Sequence, residues 1–123
     1  AGSAVSAGLT RQQQCHMLIA LESVLEQARQ RKKTITYLEA ADALMMPGPH
    51  RIHKTALLLE EQLRRDSELG RAPRSALVVS RTRSGRPAPG FFACAQQLGL
   101  FDGNEPNAFH DRLLSQLFRR TQP

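Results

Sequence analysis

The pattern of apolar and polar positions predicts that the chain starts with an amphipathic helix and a short strand. Between Arg11 and Arg31, apolar residues recur three and four positions apart, at Leu18, Leu21, Leu25 and Ala28. This spacing places them on one face of a helix. The β-branched residues 34–36 follow, and they are too few for more than one short extended strand. We therefore expect a helix and then a strand.

Two further helices are expected around the Pro47-Gly48-Pro49 break. Thr36 with Glu39 three residues later has the spacing of a capping box, which predicts a helix start. The apolar face of this second helix would consist of Tyr37, Leu38, Ala41, Leu44 and Met45. Pro49 suits the first turn of the next helix, which would end at Gly70. Its apolar stripe would consist of Ile52, Ala56, Leu59 and Leu63. The sequence thus predicts two helices joined by a tight turn.

The second half of the chain predicts one buried strand and two helices. Residues 75–80 are apolar, rich in β-branched side chains and bounded by turn residues, and residues 81–86 form a glycine-containing loop after them. A fourth helix would start with Phe91, Phe92, Ala95 and Leu98 and end at Gly99. Asn104 would cap the fifth helix, with Pro106 in its first turn. Its apolar face would consist of Phe109, Leu113, Leu114, Leu117 and Phe118.

These elements predict a mainly α-helical single domain of five helices with a small β element. With 123 residues the chain is long enough for one hydrophobic core. We expect the domain to cover residues 11–120, after a flexible tail at residues 1–10. No apolar run approaches membrane-spanning length, and the first residues lack the pattern of a signal peptide.

Charge and cysteine content suggest a cytoplasmic protein with an anionic partner. The formal net charge is +6. No acidic residue interrupts the arginines between residues 71 and 86, namely Arg71, Arg74, Arg81, Arg83 and Arg86. Such a local run favours contact with phosphate groups. Cys15 and Cys94 lie among apolar residues, which favours two reduced core thiols, although a disulfide between them stays open.

The order of helix, short strand, helix, turn, helix, strand and basic loop is typical of a winged helix-turn-helix. In that geometry the second helix of the pair enters the DNA major groove, and the loop contacts the flanking backbone. Basic residues occupy both places here: His50, Arg51, His53 and Lys54 in the helix, and Arg81, Arg83 and Arg86 in the loop. We expect duplex DNA as the partner, with Arg51 suited to reading guanine. The alternative is that these side chains only solvate the surface.

Part of the chain also resembles a known family. Thr36-Tyr37, Ala41 and Leu44, and then Pro47-Gly48 before a basic helix, resemble the winged-helix domain of alkylguanine-DNA alkyltransferases and alkyltransferase-like proteins. The resemblance covers about residues 34–92 and implies a DNA-binding fold. In that family a Pro-Cys-His-Arg stretch carries the acceptor thiol, but residues 74–79 contain neither Cys nor His. Alkyl transfer is therefore not expected. Residues 76–80 and 85–92 also resemble small uncharacterised bacterial proteins of winged-helix type.

A second motif suggests a different class of function, binding to a protein. Gln97-Leu98-Gly99-Leu100-Phe101 resembles the short peptide by which bacterial proteins bind the replicative sliding clamp. Its leucines and Phe101 would fill an apolar pocket, while Gln97 would fix the register. The alternative is that Leu98, Leu100 and Phe101 are core residues around the end of a helix. A third hypothesis keeps the winged helix but uses its helix-turn-helix face to bind protein, and the first helix could pair with a second copy.

No complete catalytic constellation is apparent, so we expect a non-enzymatic protein without a cofactor. His50 and His53 have no carboxylate or cysteine nearby in sequence to complete a metal site. Cys15 and His16 are adjacent in a helix, where neighbouring side chains point apart. His110 and Asp111 would be an ordinary pair on a helix surface.

Overall fold

A computed structural model describes residues 10–119, except for the side chain of Arg83. The first helix, α1, covers Arg11–Arg31, as predicted. The hydroxyl of Thr10 accepts a hydrogen bond from the Gln13 amide, and the Gln13 side chain accepts one from the Thr10 amide. Thr10, assigned to the tail from the sequence, is therefore the N-cap of α1. The rest of that predicted tail, residues 1–9, and residue 120 lie outside the described residues.

The second helix is short, and its buried face is narrower than predicted. Strand β1, Ile35–Thr36, leads into α2, Tyr37–Ala43, through the predicted capping box of Thr36 and Glu39. Leu38 and Met45 were expected on the buried face, but 52% and 82% of their surfaces are exposed. The buried face instead consists of Tyr37, Ala40, Ala41 and Leu44. Leu38 is out of phase with this stripe, and Met45 follows the end of the helix.

The third helix begins at Arg51, two residues after the predicted Pro49. Helix α3 covers Arg51–Glu68, and its N-cap is His50, which has a left-handed backbone with a φ of 62°. Pro49 therefore precedes the helix and does not lie in its first turn. Ile52, predicted to be buried, is 47% exposed. The buried stripe starts two residues later and consists of Lys54, Thr55, Leu58, Leu59, Gln62, Leu63 and Asp66. Gly70 ends the helix with a φ of 70°, as predicted.

Only part of the predicted buried strand is a strand. Residues Arg74–Leu77 form a 3₁₀ turn, and β2 consists of Val78–Val79, which pairs in parallel with β1. Because β1 has only two residues, the parallel pairing is limited to Val78 and Val79. The 3₁₀ turn before β2 is held to α3 by a side chain, because the Ser75 hydroxyl donates to the carbonyl oxygen of Leu59 at 2.8 Å. After β2, a 3₁₀ turn at Arg81–Arg83 reverses the chain, and Ser80 bridges Arg86 in antiparallel fashion.

The last two helices close the core with aromatic side chains. Helix α4, Pro89–Gln97, ends before Gly99 as predicted, and α5 covers Pro106–Arg119. Asn104 is not the cap of α5, because the helix starts at Pro106 and its first backbone hydrogen bond ends at the Glu105 carbonyl oxygen; the Asn104 amide donates to the Asp102 carboxylate in a local turn. Four rings from α4, α5 and the segment between them contact one another: Phe91, Phe92, Phe101 and Phe109.

The described residues thus form five helices and a two-stranded parallel sheet around one core, which confirms the predicted class and element order. The deepest side chains include Leu21, Leu25, Leu63 and Leu77, from α1, α3 and the 3₁₀ turn. Cys94 is a buried free thiol as expected, whereas Cys15 is exposed because its face of α1 is turned to solvent. None of the helices in the described part is both long and apolar enough to span a membrane.

Candidate functional site

The two cations at the start of α3 are bound to the turn that precedes them. The Arg51 guanidinium donates from Nε to the carbonyl oxygen of Met46 and from Nη2 to Oδ1 of Asp42, both at 2.8 Å. Lys54 is only 7% exposed, and its Nζ donates to the carbonyl oxygen of Pro47 at 3.0 Å. Both side chains therefore hold the turn in place. A role of Arg51 in reading guanine requires it to leave both of these acceptors.

The two histidines of the same segment face solvent. His50 and His53 are exposed, and the His50 side chain makes no capping hydrogen bond to the first turn of α3. The first amides of an uncapped helix stay available as donors and carry the positive end of the helix dipole. Among the described residues, no group of three histidine, cysteine, aspartate or glutamate side chains could hold a metal ion.

A shallow apolar groove lies between α2 and the first turns of α3. Its walls include Leu38, Pro49, Ile52 and Ala56, and its volume is about 760 Å³. His50, Arg51 and His53 also line it, and we call this surface the turn groove. Leu38 and Ile52 each expose about half of their surface there. The sequence missed this surface because it assigned both side chains to the core.

The arginine-rich segment supplies fewer free cations than its sequence suggests. Arg86 donates from Nη1 to the Asp111 carboxylate at 2.7 Å and to the Asn107 carbonyl oxygen at 3.2 Å. The hydrogen bond from Arg86 to the Asp111 carboxylate lowers the pKa of that carboxyl group, and the Arg86 charge adds to this shift. Arg71 and Arg74 also form ion pairs with carboxylates. Arg81 is exposed and pairs with no carboxylate that the structure describes. The side chain of Arg83 lies outside the described atoms.

The segment that resembles a clamp-binding peptide is part of the folded core. Phe101 is buried and stacks on Phe109, with 4.5 Å between the ring centroids. Leu98 is half-buried at the end of α4, and the Leu100 amide donates to the carbonyl oxygen of Ala95. Gln97 is exposed and Leu100 is partly exposed, at 40%. Phe101 is therefore a core residue, as in the alternative interpretation, whereas Leu100 is exposed and does not fit it.

His110 is a buried residue that the sequence placed on the surface. It is 1% exposed, and its Nε2–H donates to the carbonyl oxygen of Ala76 at 2.8 Å. Since Nε2 carries the proton, Nδ1 accepts from the Arg86 guanidinium at 3.1 Å. His110 thereby links α5 to the 3₁₀ turn at Arg74–Leu77. Its position next to Phe109 and three residues before Leu113 places it on the apolar face, and this spacing could have revealed it.

Comparison of the chain with protein-family models, with curated proteins and with solved structures found no match.

Proposed function

We propose that this protein is a non-enzymatic interaction module that docks an apolar segment of a partner protein in the turn groove. This proposal depends on one observation: the cationic side chains bind the protein itself, while apolar side chains are exposed to solvent. At the start of α3 the cations Arg51 and Lys54 are bound to the protein's own turn, whereas Leu38 and Ile52 of the turn groove are about half exposed. Clustered exposed apolar side chains are typical of protein interfaces, while DNA-reading helices present polar and basic ones.

Electrostatics indicates the chemistry of the partner segment. The groove ends at the uncapped start of α3, where free amides favour a negative charge. The exposed imidazoles of His50 and His53 can donate hydrogen bonds to a carboxylate there, and the chain as a whole carries +6. The partner is therefore a segment with one large apolar anchor flanked by aspartate or glutamate. Such a segment buries its anchor on Leu38 and Ile52.

Selection of short random displayed peptides on the wild-type protein tests this proposal. We expect enriched peptides to combine a Leu, Phe or Met anchor with acidic neighbours. Ile52→Asp and Leu38→Asp should each weaken the selected peptides at least about tenfold, because a charge in the groove opposes both the anchor and its acidic flank. Ile19→Asp is the matched control, since Ile19 is 64% exposed on α1 and does not line the groove.

Two outcomes would overturn the docking proposal. The first is that no peptide binds the wild type saturably after selection. The second is that Ile19→Asp weakens binding as much as Ile52→Asp, which would indicate general stickiness of exposed apolar residues. Thermal unfolding of all three variants checks that each is folded.

Duplex DNA remains a second candidate partner, because one specific observation favours it. Arg81 projects its charge from the loop after β2 without a carboxylate partner among the described residues, and Arg83 follows two residues later. Contacts from such a loop would neutralise phosphates without reading sequence. Binding of this kind weakens with added salt, which distinguishes duplex DNA from an apolar protein segment as the partner.

A further inference from the structure

A second concave surface lies on another part of the molecule, between the loop after α3 and the outer face of α5. Its volume is about 650 Å³. Apolar walls come from Pro73, Leu100 and Leu113, and three arginines line the cleft: Arg71, Arg112 and Arg119. A volume of this size is within the range of pockets that bind small molecules, roughly 300–1,000 Å³. We call this surface the arginine cleft.

The charge balance of the arginine cleft is positive. None of the described side chains that line it carries a carboxylate. The charge of Arg71 is balanced by two carboxylates that do not line the cleft. Its Nε lies 2.9 Å from the buried carboxylate of Asp66, and its Nη2 lies 3.5 Å from the carboxylate of Glu22. Arg112 and Arg119 are exposed and form no ion pair within the described part of the chain. Two positive charges thus remain at the rim without a partner.

Leu100 and Phe109 contribute apolar surface to the arginine cleft. Leu100 is 40% exposed although it follows α4 directly and lies beside the aromatic cluster. Phe109 forms part of the cleft wall, and the guanidinium carbon of Arg112 lies 6.0 Å from the centre of its ring. This contact keeps the Arg112 charge next to the apolar surface. Neighbouring apolar and cationic walls fit a ligand that has both characters.

We propose that the arginine cleft binds a small anionic amphiphile. The head group, a carboxylate or a phosphate ester, lies between Arg112 and Arg119, because these two guanidiniums supply charge-assisted hydrogen bonds. The apolar body lies on Leu100, which is 40% exposed, next to the buried side chains of Leu113 and Pro73. This site shares no lining residue with the turn groove, so it stands independently of the proposed protein docking.

Fluorescence titration with anilinonaphthalene sulfonate tests the site, because this probe joins a sulfonate to an apolar aromatic body. We expect saturable binding to the full chain, and displacement by dodecanoate or dodecyl phosphate. Arg112→Ala and Arg119→Ala should each weaken the probe about tenfold through loss of a charged hydrogen bond. Leu100→Gln should weaken it through the apolar wall. Whichever of the two dodecyl compounds displaces the probe at lower concentration identifies the preferred head group.

Matched controls keep the test decisive. Arg65→Ala removes an exposed arginine outside the cleft, and Ile19→Asp alters an exposed apolar residue of α1 that lines neither surface; both should leave probe binding unchanged. Equal binding by all variants, or displacement of the probe by inorganic phosphate as readily as by dodecanoate, would overturn the proposal. So would the absence of saturable binding. Arg112, Arg119 and Leu100 are at least partly exposed, so their variants should fold, which thermal unfolding verifies.

Discussion

His110 makes the stability of this protein depend on pH near neutrality. Burial lowers the pKa of its imidazole from the ordinary value of 6.5, because the charged form loses its hydration, and the Arg86 charge acts in the same direction. The hydrogen bond to Ala76 and the charge of Asp111 oppose this shift. Folding therefore favours the neutral ring.

We expect the free energy of unfolding to fall as the pH decreases below about 6.5, where the imidazole of the unfolded chain gains a proton and that of the folded chain resists it. Above this pH the contribution of His110 is constant. His110→Gln should remove this part of the pH dependence, and it should cost about 1–3 kcal/mol at neutral pH by disturbing the bonds to Ala76 and Arg86. Urea unfolding at several pH values between about 5 and 8 measures both effects.

His16→Gln serves as the comparison, because His16 is exposed on α1. It should leave both the stability and its pH dependence close to wild type. If His110→Gln kept the full loss of stability on acidification, the buried imidazole would not be its source.

Single residues also mark where sequence reasoning succeeded and where it stopped. The leucines of α1 were assigned correctly, because their periodicity alone decides which face is buried. The directions of Arg51 and Lys54 were not predictable in the same way. They depend on carbonyl groups of residues 46 and 47, which the path of the turn brings within 3.0 Å. A long cation beside a turn can face outward or inward, and its charge does not distinguish the two.

At the scale of elements, Asp66 joins the end of α3 to the segment that follows. Its buried carboxylate accepts hydrogen bonds from Nε of Arg71 and from the backbone amide of Arg74, both at 2.9 Å. It also accepts one from the side-chain amide of Gln62 at 3.2 Å. This network fixes the start of the 3₁₀ turn that leads into β2. The sequence suggested phosphate contact for the two arginines, but within this network they compensate carboxylates.

Asp66→Ala should destabilise the fold by about 2–4 kcal/mol, because it removes the buried acceptor of the Arg74 backbone amide and of Nε of Arg71. Glu68→Ala removes an exposed carboxylate two residues later and should change the stability by less than about 0.5 kcal/mol. Urea unfolding of both variants at neutral pH measures the difference. Similar midpoints for the two variants would contradict this role of Asp66.

Helix boundaries were more predictable than strand boundaries for a physical reason. The capping box at Thr36 and the left-handed Gly70 and Gly99 are local devices, so a few neighbouring residues reveal them. The length of β2 depends instead on β1, which lies more than forty residues earlier and offers only two residues for pairing. No pattern within residues 75–80 contains that information. The turn groove was missed likewise, because it depends on how α2 and α3 pack.

At the scale of the whole molecule, much of the positive charge is compensated internally. Ion pairs involve Arg29, Arg51, Arg64, Arg71, Arg74 and Arg86. The remaining exposed cations of the described part include Lys32 and Lys33 after α1, Arg81 after β2, and Arg112 and Arg119 on α5. Arg11 and Arg31 on α1 and Arg65 on α3 are exposed as well. Of these exposed cations only Arg65 lies on α3, so among the described residues they do not form the track along that helix that DNA reading needs. Net charge therefore overstates how strongly this surface would hold a duplex.

The salt dependence of duplex binding follows from this distribution. Each phosphate contact adds about −0.9 to the slope of log affinity against log salt concentration. If the loop after β2 contacts DNA, Arg81→Ala should reduce the magnitude of the slope by about one contact. Arg51→Ala should leave the slope unchanged, because the Arg51 guanidinium is bound to Met46 and Asp42. Electrophoretic titrations at several salt concentrations measure both slopes, well below the unfolding temperature of each variant.

Equal losses of slope in the two variants would place the start of α3 on the phosphates and favour DNA over protein at the turn groove. Absence of salt-sensitive binding at low ionic strength would remove duplex DNA as a partner, because phosphate contacts are strongest under that condition.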